Sequence, residues 1–132
     1  MINFTEILGT DPIGVLATQD GNSIKTRVFQ YLFSDGNKAY FCTNSQKPVY
    51  SQILSNPNVS FCSPQKHNPV LSISGKAIFV ESLDLKKKAL DENPLIQTIY
   101  KSPDNPIFKL FYIDVEEVET FSFDEGPKTY KV

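Results

Sequence analysis

Apolar positions along the chain switch between helical and strand periods, and the switches define the elements. Residues 3–10, NFTEILGT, predict a short N-terminal helix ending at Gly9. The run 13-IGVLATQ-19, the turn Asp20-Gly21-Asn22 and the run 23-SIKTRVFQYLF-33 then predict a β-hairpin. A second turn, Ser34 to Asn37, leads into 38-KAYFCT-43, so three strands are expected to form a meander. Val49, Tyr50, Ile53 and Leu54 recur at helical spacing and predict a short amphipathic helix that ends at Asn56-Pro57. Strand character resumes at 58-NVSFCS-63 and continues in 70-VLSISGKAIFV-80. There Leu71, Ile73, Gly75, Ala77 and Phe79 share one face, and Gly75 marks a bend or a close backbone approach. Two helical pieces, 83–94 and 95–101, precede a loop at 102–106, two strand-like runs at 107–115 and 117–123, and a tail over 124–132. Six or seven strands with two or three short helices predict a mainly β, antiparallel barrel built as one domain over 1–132.

Two places in this pattern suggest chemistry. The strand 23–33 carries Lys25, Arg27, Phe29, Tyr31 and Phe33 on one face and Ile24, Thr26, Val28, Gln30 and Leu32 on the other. Neither face is cleanly polar, so both are expected to be at least partly covered. Extra core with Arg27 at its wet edge would account for this. So would a phosphorylated aromatic ligand, because guanidinium binds phosphate bidentately and rings stack. The second place is the stretch 43-TNSQKPVYSQI-53, which puts Lys47 at a helix start. Asn44 or Ser45 is positioned to cap that helix, and Pro48 suits its first turn. A cation at the positive end of the helix dipole is disfavoured by roughly 0.3–1 kcal/mol. Either Lys47 is a solvated lysine tolerating that penalty, or the turn binds an anion such as phosphate.

Composition narrows the classes. The 132 residues are 40% hydrophobic and 21% charged, with a formal net charge of -2, which gives no reason to expect nucleic acid as a partner. Lys and Arg total 13, yet Arg27 is the single arginine. No stretch approaches a membrane span, and residues 1–6 lack signal-peptide character, so a soluble cytoplasmic protein without membrane association is expected. Cys42 and Cys62 lie in strand-like runs as small buried hydrophobes. The lone His67, in a polar turn, makes a metal site unexpected, and the run Lys86-Lys87-Lys88 reads as a solvated helix face.

Taken in order, R27-V-F-Q, 41-FCTN-44, K47-x-V-Y-x-Q-I-L-x-N-P-N-V-S-F and 72-SISGKAIFV-80 resemble the pyridoxamine 5′-phosphate oxidase-like, FMN-binding split-barrel family. The ending 122-SFDEGPKT-129 is similar to that of its small members. The resemblance implies a split barrel and a homodimer with FMN at each end of the interface. It further implies that Arg27 and Lys47 hold the FMN phosphate, and that Cys42 and Thr43 lie beside the flavin, where Thr43 can donate its hydroxyl. Val28, Phe29, Asn44, Gln46 and, near the ring of a partner subunit, Lys128 complete the implied cofactor set. A dianionic phosphate would reverse the dipole penalty on Lys47.

The sequence departs from the vitamin oxidases at Gln46, where they carry a basic residue, and at Leu32, where they carry a lysine. Their C-terminal tryptophan and arginine have no counterpart, since the chain has no Trp. The cofactor half of the resemblance is retained and the substrate half is not. The expected function is an FMN-dependent oxidoreductase acting on a small molecule, with no catalytic residue assigned. The alternatives are a non-catalytic flavin-binding or electron-transfer protein, or a barrel that holds a deazaflavin, haem or no cofactor.

Overall fold

The computed structural model describes residues 2–66 and 68–132; His67 lies outside the described residues. Helix α1 (Phe4–Thr10) is capped by the Asn3 side chain, which accepts from the Glu6 amide. Next come β1 (Ile13–Asp20), β2 (Ser23–Gln30), β3 (Phe33–Asp35), β4 (Lys38–Asn44), α2 (Pro48–Ser55), β5 (Asn58–Ser63) and β6 (Val70–Val80). Helices α3 (Leu83–Glu92) and α4 (Pro94–Tyr100), then β7 (Phe108–Ser122) and β8 (Gly126–Lys131), complete the chain. All pairings are antiparallel, in the order β2-β1-β5-β6-β7-β4-β3. β7 is long enough to serve two partners on its other edge. Residues 108–114 pair with β4, and residues 117–122 pair with β8.

The strand count is therefore eight rather than six or seven, for three reasons. The run 23–33 breaks at Tyr31-Leu32 into β2 and β3. The runs 107–115 and 117–123 are one strand, because Glu116 is the extra residue of a β-bulge opposite Ser74/Gly75, not a turn. The tail folds back as β8 through Asp124-Glu125, with Gly126 in the left-handed region at φ 70°.

The expected meander is also corrected. β2 pairs with β1 only, whereas β4 pairs with β3 and β7 at the opposite end of the order. The sheet rolls until these ends meet at the break, where the Tyr31 amide donates to the Pro12 carbonyl at 2.8 Å and the Leu32 amide to the Tyr40 carbonyl at 2.9 Å. Beyond that point β2 and β4 are not hydrogen-bonded and leave a split. Phe29 plugs its inner side, with ring centroids 5.8 Å from Phe111 and 6.3 Å from Phe41. The architecture is a mainly β, antiparallel split barrel.

Two cores result. Phe41, Phe61, Leu71, Ile73, Phe111 and Ile113 fill the barrel. Outside it, α3 and α4 cover Tyr40, Phe108 and Leu110 with Ala89, Leu90 and Tyr100. Tyr31 and Phe33, on the aromatic face of the run 23–33, are buried within the chain itself, at 6% and 9% exposure. Lys86 is corrected too. Only Lys87 and Lys88 are solvated, in pairs with Asp91 and Glu92, while Lys86 is buried over the Phe108 ring and bonded to Glu81 at 3.0 Å.

Candidate functional site

The split opens a cleft between β2, the end of β4, the start of α2 and the flank of α4. On β2 the strand alternation turns Arg27 and Phe29 inward and leaves Val28 and Gln30 exposed. The Arg27 guanidinium crosses to β1 and α2. Its Nη1 donates to the Leu16 carbonyl at 3.2 Å and to Thr18 Oγ1 at 2.8 Å, and its Nη2 donates to Gln52 Oε1 at 2.7 Å. The Thr18 hydroxyl donates to the same Gln52 oxygen at 2.7 Å. All three partners are neutral. Burial lowers the Arg27 pKa, yet an arginine stays charged in a protein, so this is a half-buried cation. Among the described residues no carboxylate lies within ion-pair distance of it. Three of its five N–H groups are engaged, which leaves donors for an outside acceptor.

Lys47 stands on the same rim. It is itself the N-cap of α2, in extended conformation, and no side chain caps the helix. The expected cap at Asn44 or Ser45 is not made. Asn44 Oδ1 accepts from the Gln46 amide at 2.8 Å, and the Ser45 amide donates to the Ile107 carbonyl. The positive end of α2 is thus left open beside two cations, none of them paired with a carboxylate among the described residues.

The cleft has a volume of about 220 Å³ and is walled by Arg27, Val28, Phe29, Cys42, Thr43, Lys47 and Val49, with Ile96, Ile99 and Tyr100 from α4. A second hollow on the same rim joins Arg27 and Lys47 to Thr26, Pro48 and Gln52, with Asp20 among its walls. Burial pushes the Cys42 thiol up to about 12, against the opposing pull of Lys47, so it is protonated at neutral pH and is no nucleophile. Burial also raises the Tyr100 phenol. Among the described residues no His, Cys, Asp and Glu group could hold a metal.

Of the residues singled out from sequence, Arg27, Val28, Phe29, Cys42, Thr43 and Lys47 converge on this cleft. Asn44, the last residue of β4, and Gln46, in the turn that leads to Lys47, lie outside its walls. Lys128 is on β8, 3.5 Å from Glu125, and does not line the cleft of its own chain. Sequence inspection missed Thr18, Gln52 and the α4 wall. The available signals were a polar residue in the inward row of β1 and another beside Ile53 on the buried face of α2.

A family profile described as pyridoxamine 5′-phosphate oxidase matches residues 3–122. The chain belongs to that family. Among solved structures it is similar to a NimC/NimA family protein from Clostridium acetobutylicum, at 26% identity and a TM-score of 0.87, covering 98% of this chain and 91% of that one. It also resembles a pyridoxamine 5′-phosphate oxidase-related, FMN-binding protein from Nostoc punctiforme, at 14% identity and a TM-score of 0.64, covering 98% and 94%. A heme binding protein from Mycobacterium smegmatis shares the fold at 17% identity and a TM-score of 0.75, covering 95% of this chain and 55% of that one. A comparison with curated proteins finds no match.

Proposed function

We propose that the cleft binds FMN and that the protein is an oxidoreductase acting on a small molecule. The observation that carries this is the pairing of Arg27, whose hydrogen-bond partners are all neutral, with Lys47 at the uncapped N-terminus of α2. Such a donor set fits a phosphate dianion, and the adjoining walls Phe29, Val49, Ile96 and Ile99 fit an apolar ring. When bound, FMN supplies the redox chemistry. The protein's residues hold the phosphate at Arg27 and Lys47, shield the ring from water with the α4 wall, and present Cys42 as a neutral thiol.

The same proposal includes a homodimer. The outer face of β1 and β2 exposes Ile13, Val15, Ile24 and Val28, at 52%, 39%, 72% and 68%. Val15 and Val28 are directly paired and Ile13 lies next to Val15 on the same face, an apolar patch that reaches the cleft edge at Val28, with Ile24 further along that face beyond Thr26. A second copy is the occupant that fits, since obligate interfaces resemble a core cut in half.

The test begins with the absorbance and mass of whatever the purified protein releases on denaturation. FMN is expected; haem or a deazaflavin would overturn the assignment. Titration of the apoprotein with FMN and with riboflavin then isolates the phosphate. Lys47→Glu should weaken FMN by about 10- to 100-fold, the worth of one or two charge-assisted contacts, and riboflavin hardly at all. Equal losses for both ligands would remove the phosphate role. Turnover of the bound flavin by small-molecule acceptors separates an enzyme from a flavin carrier or electron-transfer protein.

A further inference from the structure

We propose that Thr18 is a positioning residue, whose buried hydroxyl fixes the Arg27 guanidinium in the cleft before any ligand arrives. The inference rests on the reading of the cleft as an FMN phosphate site. Thr18 lies in the inward row of β1, two residues after the fully buried Leu16, and is 1% exposed. An apolar residue is the default there, and an unbonded hydroxyl would be costly.

The donors and acceptors around it admit only one arrangement. Arg27 can only donate, so Thr18 Oγ1 accepts from Nη1 at 2.8 Å. Thr18 must then send its own proton elsewhere, and Gln52 Oε1 lies at 2.7 Å. Gln52 must present oxygen rather than nitrogen on this side, because Arg27 Nη2 also donates to that atom at 2.7 Å. Arg27, Thr18 and Gln52 therefore close a ring of three hydrogen bonds that joins β2, β1 and α2, with both of its paths running from the Arg27 donors to the Gln52 oxygen.

The ring has a consequence for binding. A free arginine side chain has many rotamers, and ordering it on ligand arrival opposes association. Here the Leu16 carbonyl and the Thr18–Gln52 pair meet that ordering during folding. The unengaged N–H groups of Arg27 are then aimed by the protein rather than by the ligand. The effect belongs to phosphate alone, so it appears as selectivity for FMN over riboflavin.

Thr18→Val keeps the side-chain shape and deletes the hydroxyl, and Thr18→Ser keeps the hydroxyl. Dissociation constants for FMN and for riboflavin are measured on the apoprotein of each, with circular dichroism melts to verify folding. Thr18→Val should raise the FMN constant about tenfold and leave riboflavin unchanged, and Thr18→Ser should restore most of the FMN affinity. In an Arg27→Lys background, Thr18→Val should cause no further FMN loss, because its effect acts through the guanidinium. If Thr18→Val does not fold, the Thr18→Ala and Thr18→Ser pair carries the same comparison. Equal weakening of both ligands, or a full additional loss in the Arg27→Lys background, would overturn the positioning role. A wild-type protein that binds FMN no better than riboflavin would instead overturn the phosphate site itself.

Discussion

At the scale of single residues, the site contrasts two kinds of burial. Arg27 is enclosed by neutral acceptors and keeps its charge, whereas Cys42 is pushed the other way and keeps its proton up to about 12. The thiol shift has a sign that can be checked. With an ordinary pKa of about 9, an unfolded Cys42 loses its proton before the folded one does. The folded chain then binds more protons than the unfolded chain, and stability falls as pH rises from about 9 toward 12, by at most about 1.4 kcal/mol per pH unit. Chemical denaturation across that range should show the decline in wild type and a shallower one in Cys42→Ala. At neutral pH, Cys42→Ala should retain the bound ligand, since a neutral thiol supplies packing rather than charge. Lys86 shows what residue type conceals. Its neighbours Lys87 and Lys88 are identical in sequence terms, and only the register of α3 on β7 buries one of the three.

At the scale of elements, β6 and β7 set the curvature. The bulge at Glu116 lets β7 put Phe111, Ile113 and Val115 into the barrel, then resume with Val118 and Thr120 on the same side. Gly75 sits at the shift. A Cβ there would lie 2.0 Å from the Asp114 carbonyl oxygen and 2.9 Å from its carbon, both backbone atoms that cannot rotate away. Gly75→Ala is therefore expected to destabilise by about 3 kcal/mol or more, the upper range of overpacking effects. Urea denaturation is the measurement, and a loss under 1 kcal/mol would show that the bulge relaxes freely. Sequence alternation located this glycine and its inward row correctly, because period two survives one irregularity. It could not tell a bulge from a turn at 115–117, since both are a single break in the alternation. The break at Tyr31-Leu32 was not visible in the run 23–33, since each half keeps strand composition.

At the scale of the whole molecule, the split positions the site. β2 and β4 are held near each other by the Tyr31-Leu32 corner and the Phe29 plug, so Arg27 on one edge faces Cys42 and Thr43 on the other. The proposed homodimer makes a prediction at this scale. Ile24 is 72% exposed on the outer face of β2, two steps along that row from Val28 at the cleft edge, with Thr26 between them. Ile24→Lys should convert the dimer to monomer in sedimentation at micromolar concentration while the isolated fold persists, because no core contact is lost. A variant that stays fully dimeric would move the interface elsewhere. No helix among the described residues is long and apolar enough to cross a membrane.

The sequence by itself determined the β-rich antiparallel class, the helix that begins beside Lys47 and the inward row of β6, and it singled out Arg27 and Lys47, which line one cleft. Each of these depends on local periodicity or on an ordered motif, and local signals survive without knowledge of distant contacts. Tertiary structure alone decided that β2 and β3 become opposite edges of one sheet, that Tyr31 and Phe33 turn into the chain's own core, and that Thr18 and Gln52 grip Arg27. Those outcomes join residues 34 and 25 positions apart in hydrogen bonds and need the sheet to roll before they exist. Periodicity reports which face a side chain takes, and only the rolling of the sheet determines what that face meets.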